Sequence, residues 1–226
     1  MRILLIAMLA LAFIAAGCSS KEERTAPITD IGHNANDNAN AGIETNEPEK
    51  DNDPAQPAAD EETEVKQAAG AVIKALQNKN LDALLDRIHP TKGLLFSPYV
   101  HIDTKSSQIF LRDKLPSLKD ATVYTWGTAD GSGEPIELTF GKYFDKYVYD
   151  QNFAEAETVG YDKVVGKGNM VDNIKEAFPD ARIVDYHFSG FDPKAEGMDW
   201  ESLIIVLERY EDAWFVSAIV HNQWTI

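Results

Sequence analysis

An apolar run opens the chain, from Ile3 to Ala16, with Arg2 as the only charge before it. A stretch almost without large apolar residues follows, from Ser19 to Glu64 ("HNANDNANAGIETNEPEKDNDPAQPAADEE"). Regular patterning starts at Val65. Val65, Ala68, Ala69, Val72, Ile73 and Leu76 recur at three- and four-residue spacing, which lines one face of a helix. Asn80 is placed to cap a second, shorter helix carrying Leu81, Leu84, Leu85 and Ile88 until Pro90 stops it, so "QNKN" joins a helix hairpin. Ala121 to Thr128 and Ile136 to Phe140 read as strands around the turn-forming "ADGSGEP". Phe140, Tyr143, Phe144, Tyr147 and Val148 then repeat at helical spacing, an aromatic face suited to core packing. Asn169 is placed to cap a short helix ending before Pro179. The rest reads as sheet: "ARIVDYHF", "WESLIIVLERY" and "AWFVSAIVHNQWTI", the last two turning at "YEDA" into an antiparallel hairpin that ties down the C-terminus.

Helices followed by long strands predict an α+β fold, an N-terminal helix hairpin packed on a curved, mostly antiparallel sheet. The domain boundaries expected are 1–17 for a signal, 18–63 for a linker and 64–226 for a single globular domain. About 160 residues suffice for one well-buried core. The order of elements resembles the cone-shaped nuclear transport factor two superfamily, a resemblance that implies a pocket between sheet and helices.

Composition and charge add an address. The start is positive, the apolar run is too short for a permanent span, which needs roughly 17–25 residues, and it ends in Ala15, Ala16, Gly17 and then Cys18. This arrangement resembles the lipobox of bacterial lipoproteins, with Ala15 where leucine is commonest. The resemblance implies that Cys18, the only cysteine, carries the lipid, palmitate included, and that the protein sits on the extracytoplasmic face of the cell membrane, or at an outer membrane given Ser19. The other reading is an ordinary signal peptide cut near Ala16, leaving a free thiol. "HPTKGLLFSPYVHID", "WGTADGSGEPIELTF" and "WFVSAIVHNQWTI" also resemble phrases of uncharacterised bacterial envelope lipoproteins. Ser19 to Glu64 carries 13 acidic and 3 basic side chains and cannot bury enough apolar surface to order itself, so a disordered, solvated spacer is expected. The remainder is acidic by about 7 charges, and without a basic stripe no nucleic-acid partner is expected.

Candidate chemistry is sparse. The chain has no nucleophile elbow, no H-E-x-x-H, no Walker loop and no paired cysteines, and nothing in it implies a cofactor. "VVGKGNM" lacks the third glycine of a dinucleotide fingerprint and reads as a plain turn. His89 sits before Pro90, where a cation suits the end of a helix dipole. His101 and Asp103 alternate with Ile102, and Asp185 and His187 with Tyr186, so in strands each pair shares a face. Such pairs orient an imidazole for acid–base work or for a metal, or simply make a solvated hydrogen bond. His221, expected to share a face with Phe215, Ser217 and Ile219, reads as a buried or rim histidine. Trp126, Trp200, Trp214 and Trp224 either fill the core or stack on sugar rings. Three functions stay open: a non-enzymatic lipoprotein binding a small ligand or an envelope protein, a hydrolase or isomerase using one of the His–Asp pairs, and a metal-binding lipoprotein.

Overall fold

Val65, Ala69, Val72, Ile73 and Leu76 are all buried, and they make the inner face of the first helix of a computed structural model that describes residues 56–225, with side chains from Asp60 onward. The expected signal, Cys18 and most of the linker lie outside the described residues. This helix, α1, spans Gln56–Gln77 and so begins ahead of the expected boundary at 64. Its polar first turns resemble linker in composition, yet Glu61 pairs with Arg182 at 2.6 Å. Lys79, at φ 49°, closes the C-terminus: its amide donates to Leu76 and that of Asn80 to Ala75, a Schellman arrangement in which glycine is usual. Asn80 caps α2 (Leu81–Leu85) as expected, accepting from the Ala83 amide at 3.1 Å.

Eight strands follow among the described residues: β1 (Leu94–Ser97), β2 (Gln108–Phe110), β3 (Val123–Thr128), β4 (Pro135–Thr139), β5 (Thr158–Tyr161), β6 (Arg182–Phe188), β7 (Glu201–Tyr210) and β8 (Ala213–Gln223). Six of them form a curved sheet in the order β2-β1-β8-β7-β6-β5, antiparallel throughout except where β1 runs parallel to β8. β3 and β4 form a separate ribbon. No described helix is long and apolar enough to cross a membrane.

One face of the sheet carries Val184, Leu203, Ile205, Leu207, Val216 and Ile219. Against it pack α1 and the aromatic segment, which is α3 (Phe140–Tyr143) continued by a π-turn over Phe144–Val148. The predicted aromatic face is core: Phe140, Tyr143, Phe144, Tyr147 and Val148 are all buried. Trp126 of the ribbon stacks on Tyr143 with centroids 3.8 Å apart, Phe96 meets both edge-on, and the indole nitrogen donates to the Leu138 carbonyl at 2.9 Å. Trp200 and Trp214 are buried as well, and Trp224 is exposed.

The opposite face carries Ile183, Ile204, Val206, Ala218 and Val220, covered by Val100, Ile102 and the segment from Val164 to Ala181. That segment departs from expectation. Asn169 caps no helix; its amide group donates to the Thr225 carbonyl, and the helix α4 (Ile174–Ala177) starts later, with Asp172 accepting from the Ile174 amide. Gly166 is needed for close packing, because a Cβ there would overlap the Trp200 ring.

His89 also differs from its expected role. α2 ends before it, and its ring is buried with Nδ1 accepting from the Thr91 and Lys92 amides, so it braces a turn as a neutral group. Burial lowers its pKa accordingly, and the nearby Glu208 only partly offsets this.

Two glycines give a paired test of this packing. Gly166→Ala should lose about 1–3 kcal/mol through overpacking against Trp200. Gly70→Ala, in α1 with nothing within 4 Å of the added carbon, should gain about 0.5–1 kcal/mol. Urea midpoints decide, and equal effects at the two positions would refute the placement of Gly166 against the indole.

Candidate functional site

The chemistry gathers at the end of the sheet where β1 and β8 finish and β7 begins. Register places Ser97 beside Val220 and Leu203 beside His221 there, with Glu201 opposite Gln223. The loop that leaves β1 at this end does not pair as a strand. It folds over the tip of the β3–β4 ribbon and is pinned to it by Tyr99, whose hydroxyl accepts from the Asp130 amide at 3.2 Å. Between loop and ribbon lies a cleft of about 640 Å³, lined by Tyr99, His101, Asp103 and Ser106 on one side and by Trp126 and Asp130 on the other. No lysine or arginine lines it.

His101 and Asp103 therefore both reach this cleft, as loop residues. His101 is exposed, and its Nδ1 lies 3.1 Å from the Val171 carbonyl. Asp103 accepts from the Lys105 amide and the Ser106 hydroxyl, at 3.0 and 2.7 Å, and these bonds hold its carboxyl below the usual range. The two side chains serve different partners, because the turn after Asp103 breaks the alternation that a strand would impose.

Asp185 and His187 do share a face of β6, as their spacing implies, and it is the face covered by the Val164–Ala181 segment. Asp185 is fully buried and accepts from the Val165 amide at 2.7 Å. Burial raises its pKa to about 6 against the opposing pull of that amide, of Ser202 and of Gly166. His187, half-buried, places Nδ1 2.9 Å from the Ser202 hydroxyl and packs its ring beside Trp200, and burial lowers its pKa. Asp185 fastens a loop to the sheet, while His187 bonds across to the neighbouring strand β7. None of these contacts involves His101 or Asp103.

His221 points the other way. A β-bulge between Val206 and Leu207 leaves Ser217 as an extra residue on β8, so Phe215 and His221 lie on opposite faces despite their even spacing. On the α1 face the fully buried His221 ring sits 5.7 Å from Tyr147, which in turn is 6.2 Å from Tyr99 at the cleft. Its Nε2 is 3.0 Å from Asp150 Oδ2, and Glu201 completes a group whose ligand-type atoms all lie within 4.8 Å of one another. Burial, then the neighbouring Asp150, raises the pKa of Glu201, while His221 opposes the rise. Asp150 escapes sequence reading because it is 71 residues from its histidine. Glu201 does leave a trace, since it alternates with Leu203, Ile205 and Leu207 on one face of β7.

No protein-family model matches the chain. No curated protein matches it either. Among solved structures, a protein from Streptomyces avermitilis described as a dehydratase of the NTF2-like family is similar at 14% identity, over 74% of this chain and 97% of its own, with a TM-score of 0.28.

Asp185 supplies a pH test of its loop-fastening role. Its folded pKa, about 6, lies above the unfolded carboxylate value, so the native state holds the proton more tightly and stability falls as pH rises from about 4 to about 6. The full span corresponds to roughly 3 kcal/mol. The lowered pKa values of His89 and His187 act oppositely, with stability present above about 6.5 and lost as pH falls below it. Denaturant unfolding of wild type and Asp185→Asn across pH 4–7 isolates the carboxyl. The variant should gain stability relative to wild type as pH rises, and a pH-independent difference would sink the assignment.

Proposed function

We propose that this chain is a lipid-anchored extracytoplasmic lipoprotein, held at the membrane through Cys18, whose folded domain is a non-enzymatic binding module for a small ligand. The domain is read as a variant of the cone of the nuclear transport factor two superfamily, with α1 and α2 as its helix hairpin. In this variant Phe96, Trp126, Phe140 and Tyr143 fill the interior between sheet and helices, which moves the binding site to the mouth. The observation that carries the reading is the cleft of about 640 Å³ between the β1–β2 loop and the β3–β4 ribbon. Its size is within the range of ligand sites, and it combines aromatic wall with a few polar groups. Ser106, Ser107, Thr125 and Thr128 offer hydroxyls, Asp103 and Asp130 offer carboxylates, and His101 offers an imidazole, without a lysine or arginine. This composition suits a neutral, hydroxylated ligand such as a wall sugar, and it disfavours anions.

The binding half is tested by following intrinsic fluorescence and thermal unfolding of the full-length chain against wall sugars, amino sugars and small anions. The expected result is a rise in melting temperature with a sugar and none with the anions. Ser107→Trp, which inserts an indole into the cleft, should weaken binding at least tenfold, about 1.4 kcal/mol. Unchanged affinity in that variant, or no response to any sugar, overturns the reading.

The anchor is tested separately in the bacterial host. Cys18→Ser should abolish incorporation of labelled palmitate and move the protein out of the membrane fraction, since two acyl chains at about 0.8 kcal/mol per buried methylene are what would hold it there. Retention of the variant in that fraction refutes lipidation as the means of attachment.

A further inference from the structure

We infer that Asp150, Glu201 and His221 form a binding site for one divalent metal ion that accepts mixed imidazole and carboxylate ligands, such as Zn²⁺ or Mn²⁺. The site is distinct from the cleft and independent of the reading given to it. Three elements that meet nowhere else in sequence bring the ligands together: the end of the aromatic segment, the first residue of β7 and the end of β8. Charge is the first argument. Two carboxylates meet at this point, and neither forms an ion pair with a lysine or arginine among the described residues, where Asp150 pairs only with His221. Buried charges are normally paired or metal-bound, and a dication balances two carboxylates beside a neutral imidazole.

The unsatisfied atoms are the second, independent argument. Asp150 Oδ1, Glu201 Oε2 and His221 Nδ1 are all buried without a hydrogen-bond partner, and the His221 side chain has no solvent exposure. Two orphaned carboxylate oxygens on adjacent side chains depart from the near-complete pairing of a native interior, whereas Nδ1 lies on the other side of the ring and lacks a partner with or without an ion. A cation would occupy the carboxylates' free lone pairs.

Geometry agrees with the class of ion. The 3.0 Å separation of His221 Nε2 from Asp150 Oδ2 matches adjacent corners of an octahedron with bonds of about 2.1 Å, so little movement is needed for both to bind. One imidazole with two carboxylates suits Zn²⁺ or Mn²⁺, and the set lacks the thiolate or thioether that selects Cu(I). When Nε2 holds a metal the ring proton resides on Nδ1, which here lacks the outer partner that usually braces a ligand histidine. Affinity should accordingly fall about 10–100-fold short of a braced site.

The alternative occupant is a proton shared between Asp150 and Glu201, and the experiment separates the two. Full-length protein is stripped with chelator and titrated with Zn²⁺, Mn²⁺, Ca²⁺ and Mg²⁺, following bound metal by elemental analysis and unfolding by calorimetry. One equivalent of Zn²⁺ or Mn²⁺ should bind and raise the melting temperature in a concentration-dependent way. Asp150→Asn and Glu201→Gln, which keep the shape of partly exposed side chains and so spare the core that His221→Ala would disturb, should each weaken binding at least tenfold. His101→Ala and His187→Ala should leave it unchanged. Absence of binding by either ion, or binding that survives both amide substitutions, overturns the site whatever the cleft proves to hold.

Discussion

Both faces of the β7–β8 pair must be covered, and this requirement organises the rest of the molecule. Seven consecutive residues of β7, Ser202 to Glu208, are buried, a pattern that no sheet with one wet face produces. α1 and the aromatic segment cover one side. The other is covered by a segment that is largely irregular, and a coil has backbone groups to satisfy that a helix would satisfy internally. The sheet supplies two of those partners, Asp185 for the Val165 amide and Asn222 for the Gly166 carbonyl, and the covering segment is tied to the loop after β1 by Asn173, whose side chain exchanges bonds with the Ile102 backbone in both directions. Polar side chains on that face are thus accounted for by fastening. The raised pKa of Asp185 is the electrostatic cost of placing a carboxylate under a coil.

The bulge at Ser217 divides the polar residues between the two faces. Without it, β8 would keep one alternation along its length and His221 would join Phe215 on the coil-covered face, away from Tyr147 and Asp150. With it, Ile219 and His221 turn toward the aromatic layer while Ala218, Val220 and Asn222 turn toward the coil. A single inserted residue therefore decides which histidine meets a carboxylate in the interior.

The legible parts of the sequence were those whose pattern is long and local. The face of α1, the Asn80 cap, the β3–β4 ribbon and strands β6 to β8 all follow from spacing. β1 escaped because "LLFS" is buried on every position and has no alternation, and β2 and β5 because three- and four-residue edge strands carry too little pattern to distinguish from loop. The start of α1 was hidden by composition, since an acidic turn looks the same whether it is solvated linker or the exposed side of a helix paired through Glu61 to Arg182. At the candidate site the limitation was of another kind. Even spacing correctly placed Asp185 with His187, but a turn separated His101 from Asp103 and a bulge redirected His221. The partners Asp150 and Tyr147 were brought to His221 by tertiary folding across many residues, which no local period encodes.

The rings of Tyr99 and Tyr147 stand between the cleft and the group formed by Asp150, Glu201 and His221. Tyr99 touches Asp130 through its hydroxyl and Tyr147 through its ring, and Tyr147 lies against His221. Two aromatic rings in series therefore link His221 to the cleft. A cation bound beside His221 would be balanced by Asp150 and Glu201, and its field at the exposed Asp103 would be screened by water. By linkage, a cleft ligand whose affinity changed with the cation would alter cation affinity by the same factor. With the proposed ion in place, the electrostatic character of the mouth would depend partly on what occupies the space between Asp150, Glu201 and His221.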